Sequence, residues 1–370
     1  MRRIAVKFVC DKDILESCLN TVSKAADPAN VKELLRGIKI DAGEELTFFA
    51  TDNEISLETF SEATVKEKGS LVIDGRIFAD IVKRMPEGSI TFETVSQSEI
   101  KISGGEVRLS LLYLSAEGFP QMDRVEDGNC ISIYSKDLKN VIKYTVFAPD
   151  AESTMPILNG IKFEIRNSSM RAVGLNRYRM AIRNQIIPDT GIEYMEFIVP
   201  AKTLAELNKI LKDDSTIVKI TLKDEAVMFE FDRTTVVTRL LEGEFIDYDR
   251  LIPKESKIKF KTAYPKIAQS VDRASVIINY DDPKIPVIFD IKNGVLNIDC
   301  FTKRGQIHDK ISVDTDGELK IGLGAKLLTD AIRAIDTNEI YFEFKDEKSP
   351  CKIMPTEGDS FLYIIQPRQL

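Results

Sequence analysis

The stretch GRIFADIVKRMPEGSITFE (residues 75–93) is written three times in this chain of 370 residues. It returns, altered, as AKTLAELNKILKDDSTIVKI (201–220) and as AKLLTDAIRAIDTNEIYFEF (325–344). A base stands at Arg76, Lys202 and Lys326. An acid follows at Asp80, Glu206 and Asp330, then a second base at Lys83, Lys209 and Arg333. Apolar residues fall between them: Phe78, Ile81, Val82 and Met85; Leu204, Leu207 and Leu211; Leu328, Ile332 and Ile335. Spacings of three, four and seven place these on one face of a helix. At about 100° per residue, the base–acid–base stripe takes the opposite face. One amphipathic helix with a positively biased outer stripe is therefore used three times.

The repetition extends along the whole chain. Each copy opens with a strand and a helix: AVKFVCDKDILESCLNTVSKA from Ala5, CISIYSKDLKNVIKYTVFA from Cys130, and KIKFKTAYPKIAQSVDRASVI from Lys257. Short strands follow, then the strand–helix stretch above, then paired strands such as EIKISGGEVRLSLLYL from Glu99. Alternating hydrophobics mark many strands as half-buried and antiparallel. Two helices per copy would pack on one face of such sheets. The reading is α+β, with three similar domains at 1–127, 128–254 and 255–370. The boundaries fall near FPQMDRVEDGN and FIDYDRLIPKES, where Pro, Gly and charge cluster.

Composition narrows the function classes. No apolar run approaches the ~18 residues needed to span a bilayer, so no membrane is expected. The N-terminal MRRIAVKFVCDKD reads as a strand entering a helix, not a signal peptide. Five scattered cysteines without CxxC spacing fit a reducing cytoplasm and give no zinc site. The net charge is −8, against the usual balance of a polyanion binder. Its distribution says more. Six windows read as helices (11–25, 76–85, 135–145, 201–212, 263–277 and 325–335) hold fifteen bases against eight acids. They carry a net +7, so the remaining chain carries −15. A field patterned in this way can hold a polyanion on one surface and repel it elsewhere.

The sequence supplies no reason to expect an enzyme. The single histidine, His308, reads as a surface residue beside Asp309, and no Ser/His/Asp set can be assembled without it. There is neither GxxxxGK[ST] nor a GxGxxG after a strand. The acid pairs in YDDPK (280–284) and DDS (213–215) read as turn formers rather than metal ligands. Catalytic residues, metals and cofactors are all expected to be absent.

Three repeats of this kind resemble the bacterial DNA polymerase III beta subunit family, the sliding clamps. The resemblance covers the whole chain. It rests on ATDNEIS (50–56), LSAEGFPQM (114–122), PILNGIKFE (156–164), LNRYRMAI (175–182), LLEGEFIDYDRLIP (240–253) and YIIQPRQL (363–370), in that order. It implies the DNA-clamp fold and a head-to-tail homodimer closing a ring of six domains around duplex DNA. It also implies a cytoplasmic, non-catalytic processivity factor that tethers the replicative DNA polymerase. A clamp loader and other proteins carrying a clamp-binding motif would be further partners. Duplex DNA carries one charge per ~1.7 Å, so diffuse attraction without base contacts suffices. The DNA-facing candidates are Lys12, Lys24, Arg76, Lys83, Lys136, Lys139, Lys143, Lys202, Lys209, Lys212, Lys266, Arg273, Lys326 and Arg333. The bland alternative is a solvated helix face.

The family's peptide-binding groove carries over to Leu158, Leu175, Arg177, Tyr178, Arg179, Met180, Ile246, Arg250, Leu251, Pro350, Ile364, Ile365, Gln366, Pro367 and Arg368. Its apolar members would take the anchors of a short extended motif, with Arg179 and Arg250 holding polar or acidic parts at the rim. The alternative for Ile364 and Ile365 is that they finish a core strand. Departures from the family pattern cluster here. The usual A-T-D-G-H-R-L stands as Gly174, Leu175, Asn176, Arg177, Tyr178, Arg179 and Met180; Ile246 replaces a proline; the usual M-P-x-R-L ending is QPRQL. These departures favour one rival reading, a clamp-like ring or scaffold paralogue with altered, non-replicative partners. An enzyme with an unrecognised site is a second rival, disfavoured by the missing motifs.

Overall fold

The computed structural model describes residues 5–150 and 153–370; Arg2 and Arg3, the basic start of the N-terminal reading, lie outside them. Six α-helices are present among the described residues: α1 (Lys12–Val22), α2 (Gly75–Val82), α3 (Ser135–Thr145), α4 (Ala201–Ile210), α5 (Tyr264–Asn279) and α6 (Ala325–Ala334). Each overlaps one of the six windows read from periodicity, with α2 starting one residue before its window and α5 running two past its own. The capping chemistry is local. Asp11 accepts a hydrogen bond from the Asp13 amide at the start of α1, and Asp74 accepts one from Ile77 at the start of α2. Both satisfy otherwise orphaned donors of the first turn. Pro265 opens α5, where its missing N–H costs nothing.

The chain divides into two compact units, Met1–Ser135 with Lys209–Leu240, and Lys136–Asn208 with Leu241–Leu370. The first holds a five-stranded sheet in the order Thr64–Glu67, Lys7–Asp11, Ser89–Thr94, Glu99–Gly104, Val107–Leu112. Its nine-stranded sheet joins strands of two repeats: Ile55–Ser61 pairs antiparallel with Thr234–Arg239, with Leu57 opposite Val236. The second unit has the same plan. An eight-stranded sheet joins Arg179–Ile186 to Phe361–Ile365, with Met180 opposite Ile364. A five-stranded sheet runs Gly305–Ser312, Val295–Thr302, Pro286–Lys292, Leu319–Gly324, Pro367–Arg368. Sheet continuity across repeats is why the compact units cut across the repeat boundaries.

Helices cover these sheets through their apolar faces. α1 packs beside α2, and α5 beside α6. Phe78, Val82, Leu204, Leu207, Leu211, Leu328, Ile332 and Ile335 are all buried, as the spacing required. Phe260, Phe289, Phe342 and Phe344 stack and tilt against one another in the core under α5 and α6. Four of the five cysteines are buried and all five are free thiols. No helix among the described residues is long and apolar enough to cross a membrane.

Candidate nucleic-acid and peptide-binding surfaces

The two bases of the stripe turn outward in all three copies, while the acids Glu206 and Asp330 are half-buried. Arg76, Lys83, Lys202, Lys209, Lys326 and Arg333 are exposed on the side away from the buried faces. Lys24, Lys136, Lys143, Lys212, Lys266 and Arg273 are exposed as well. Lys24, in the turn after α1, and Lys209 of α4 line one open concavity of about 790 Å³, together with Asn20, Thr21 and the acids Asp13 and Glu16. Several of these cations hold a surface acid. Lys212 pairs with Asp232 at 2.7 Å, Arg273 with Asp309 at 2.8 Å and Arg333 with Asp272 at 2.5 Å. Exposed pairs of this kind are worth little, so a phosphate can replace the acid at small cost.

Two candidates sit differently. Lys12 is only 9% exposed. Its ammonium lies 2.8 Å from Glu87 and 3.3 Å from Glu16. That pairing ties the start of α1 to a distant turn and leaves Lys12 less open than the other candidates. Helix spacing alone could not show it, because Glu87 comes from a distant turn. Lys139 is half-buried and donates to the Asn208 carbonyl at 3.2 Å.

The groove candidates assemble around a cross-strand row. Leu175 lies opposite Met180, and Met180 lies opposite Ile364. All three are buried in one cluster with Phe245 and Tyr248, against which Leu158 and Ile246 pack. Leu158 arrives from a short 3-10 turn, Pro156–Asn159. The next residue is glycine because a Cβ there would come within 2.6 Å of Ile198 and 2.7 Å of Leu241. The turn between Leu175 and Met180 is pinned by Asn176, whose Oδ1 accepts from the amides of Tyr178 (2.8 Å) and Arg179 (3.0 Å). That Asx geometry holds Arg177 and Tyr178 outward, both exposed. Gln366 is tied to the same turn by its amide, which donates to the Tyr178 carbonyl at 2.8 Å. Leu251 stands exposed just beyond Tyr248. The Tyr248 hydroxyl donates to Glu164 at 2.9 Å, and burial pushes its pKa up to about 12, so it stays protonated.

Other members lie apart. Ile365 belongs to the neighbouring core with Tyr363 and Cys351, not to the groove cluster. Consecutive strand residues face opposite ways, so Ile364 and Ile365 cannot share a face. Pro367 and Arg368 form a short strand against Leu319–Gly324, and Arg368 donates to the Pro283 carbonyl at 3.0 Å. Pro350 is half-buried just before the strand Cys351–Pro355. Neither rim arginine is uncompensated. Arg179 Nη1 lies 2.7 Å from Asp330 and Arg250 Nε 2.6 Å from Asp247. Sequence reading missed Val173, Ile182 and Ile198, which complete the cluster. Val173 and Ile182 stand two residues from Leu175 and Met180, so the strand period would have found them.

His308 is exposed on the strand Gly305–Ser312, with its Nδ1 on Asp299. Among the described residues no group of three or more His, Cys, Asp or Glu side chains is placed to hold a metal ion.

Family comparisons cover nearly the whole chain. Residues 6–123 match the family model for the DNA polymerase III beta subunit N-terminal domain, 132–247 its central domain and 249–369 its C-terminal domain. The beta sliding clamp of Staphylococcus aureus is 30% identical, over 98% of this chain and 99% of its own length. That of Halalkalibacterium halodurans is 29% identical, over 97% and 98%. A crystal structure of a putative DNA polymerase III beta subunit from Eubacterium rectale superposes with a TM-score of 0.90 at 30% identity, covering 99% of this chain and 100% of that one. The Bacillus subtilis DNA polymerase sliding clamp gives 0.90 at 28% identity, with the same coverage.

Proposed function

This chain belongs to the DNA polymerase III beta subunit family and is a DNA sliding clamp, and we propose that it works as a head-to-tail homodimer whose six domains close around duplex DNA. The domains are residues 1–127, 128–254 and 255–370. The observation that carries this reading is the pair of outward bases at each of α2, α4 and α6, set over faces buried in the protein. Twelve helices from two chains would present such cations to the phosphates. The contact is electrostatic and sequence-blind, because long Lys and Arg side chains follow charge rather than base edges. The acidic remainder of the chain discourages DNA from binding elsewhere.

Ring closure has support in the sheets. Val107–Leu112 and Gly305–Ser312 are each one edge strand of a five-stranded sheet. An outer strand offers backbone donors and acceptors to another chain. Because the two strands come from different repeats, pairing between them is heterologous, and closure after two subunits gives a finite ring.

The clamp is non-catalytic and cytoplasmic and needs no cofactor or metal. It tethers the replicative DNA polymerase, and it receives its clamp loader and other motif-bearing proteins, at the groove around Leu175, Met180 and Ile364. Retention on nicked circular DNA, with release when the circle is cut to a linear duplex, tests the topological reading. Equal retention on both would mean ordinary surface binding and would sink it.

A further inference from the structure

We propose that the first compact unit holds a binding site for a small aromatic carboxylate, in a cleft where α1 meets the seam between repeats, at the place that the second unit fills with its own tyrosine. Every residue of the cleft belongs to the first unit and every residue of the groove cluster to the second, so the site is apart from the groove. The two seams correspond position by position. In the second, Arg183 lies opposite Phe361 and Ala181 opposite Tyr363. In the first, Thr59 lies opposite Thr234 and Leu57 opposite Val236. The flanking helices α1 and α3 are both 11 residues long, with Thr21 tenth in one and Tyr144 tenth in the other. Lys212 and Asp336 each stand two residues past the end of their helices, α4 and α6.

In the second unit the Tyr144 ring is fully buried against the seam. Its centroid lies 5.5 Å from that of Phe361, 6.3 Å from that of Tyr363 and 4.2 Å from the Arg183 guanidinium. Its hydroxyl donates to the Asp336 carboxylate and accepts from the Asp336 amide at 3.0 Å. In the first unit the matching side chains are small or changed in sign: Thr21, Thr59, Thr234 and Val236, with Lys212 in the place of Asp336. A cleft of about 480 Å³ is left there, lined by the three threonines, Lys212, Ile210 and Phe231. Small-ligand sites run to about 300–1,000 Å³ and are largely apolar with a few placed polar groups. What is missing is a flat ring, and the group that would meet its polar end is now an ammonium. An anionic substituent suits that end, as a hydroxyl donor suits Asp336. Lys212 is 66% exposed and lies 2.7 Å from Asp232, a pair worth little, so a ligand carboxylate can displace the acid. Arg233, Asp13 and Asp232 also line the cleft, so its charge is balanced and the placement of Lys212 sets the preference.

Benzoate, benzyl alcohol and benzylammonium share one ring and differ in charge. Titrated singly into the full chain and followed by saturation-transfer NMR, benzoate should bind about three- to tenfold more tightly than benzylammonium, with the alcohol between them. Lys212→Asp installs the acid of the second unit and should reverse the order of the two ions. Thr21→Tyr installs the missing ring and should abolish binding of all three probes. Thr234→Phe fills the same cleft from the seam and takes the place of that variant if circular dichroism shows Thr21→Tyr unfolded. A Gln-Leu-x-Leu-Phe peptide should not displace benzoate. Failure of every probe to bind the parent, or equal binding of all three, overturns the proposal. So does an order of ions left unmoved by Lys212→Asp. Binding that survives a folded cleft-filling variant, or that the peptide displaces, puts the ligand elsewhere and overturns it too.

Discussion

Leu57 and Val236 are cross-strand partners, one from the first repeat and one from the second, and both are fully buried. The seam they occupy is continuous sheet, so damage there should be felt by both repeats. Leu57→Ala is expected to cost about 2–5 kcal/mol, the range for a buried leucine that leaves a cavity. Urea denaturation followed by circular dichroism measures it. A change below about 0.5 kcal/mol, the scale of a surface substitution, would mean that the seam is not packed as described.

The stripe predicts a salt effect. Replacing Arg76, Lys83, Lys202 and Lys209 together by Glu should weaken retention on DNA of any sequence. The slope of log affinity against log salt should become shallower by up to about one unit for each phosphate contact removed. Lys12→Met is the contrasting variant. It should lower stability through loss of the Glu87 and Glu16 pairs and leave the slope unchanged. Equal slopes in the parent and the fourfold variant, with the oligomer intact, would reduce the stripe to a solvated surface.

Ile364 and Ile365 should separate binding from stability. Ile364→Ala removes a side chain from the floor of the proposed groove and should weaken binding of a Gln-Leu-x-Leu-Phe peptide. Ile365→Ala should instead cost about 2–5 kcal/mol of stability, as a core truncation, while the folded fraction binds as before. Fluorescence titration beside a thermal melt distinguishes the two. The opposite pattern would mean that the strand is turned over.

Acid should weaken the strand Glu339–Phe344 on the face away from its phenylalanines. Burial alone would raise the Glu343 carboxyl, but hydrogen bonds from Lys352, Ser256 and Lys259 outweigh it and hold the pKa at about 2. A depressed carboxyl contributes stability that is complete above its unfolded value, near 4.5, and is lost as pH falls toward 2. The contribution is on the order of 1–3 kcal/mol. Glu343→Gln should therefore be less stable than the parent at pH 7 and should lose less between pH 4.5 and 2. Parallel stability curves for the two proteins would contradict this.

The periodic part of the architecture was legible in the sequence. Six helices stand where apolar spacing put them, and Leu204, Leu207, Leu328 and Ile332 are buried as their positions required. Helix α2 ends at Val82, so Lys83 and Met85 lie in the turn beyond it, a boundary that a three-residue spacing does not fix. The seams between repeats were not legible. They are made by backbone hydrogen bonds, which no side-chain pattern records. Leu175, Met180 and Ile364 do share one buried cluster, whereas Ile365 belongs to another, because neighbours along a strand face opposite ways. The ion pairs of Lys12 and Arg179 were not legible, for one physical reason. Their acids, Glu87 and Asp330, are remote in sequence, and ion pairing across a fold leaves no local trace.

The seam described at Leu57 and Val236 also bears on how such a chain changes over time. Peptide groups are identical at every position, so a joint built from them needs no particular residue to be inherited. Only the alternation of buried and outward side chains must persist, and many substitutions satisfy it. Drift in sequence can therefore run far while the repeats stay joined.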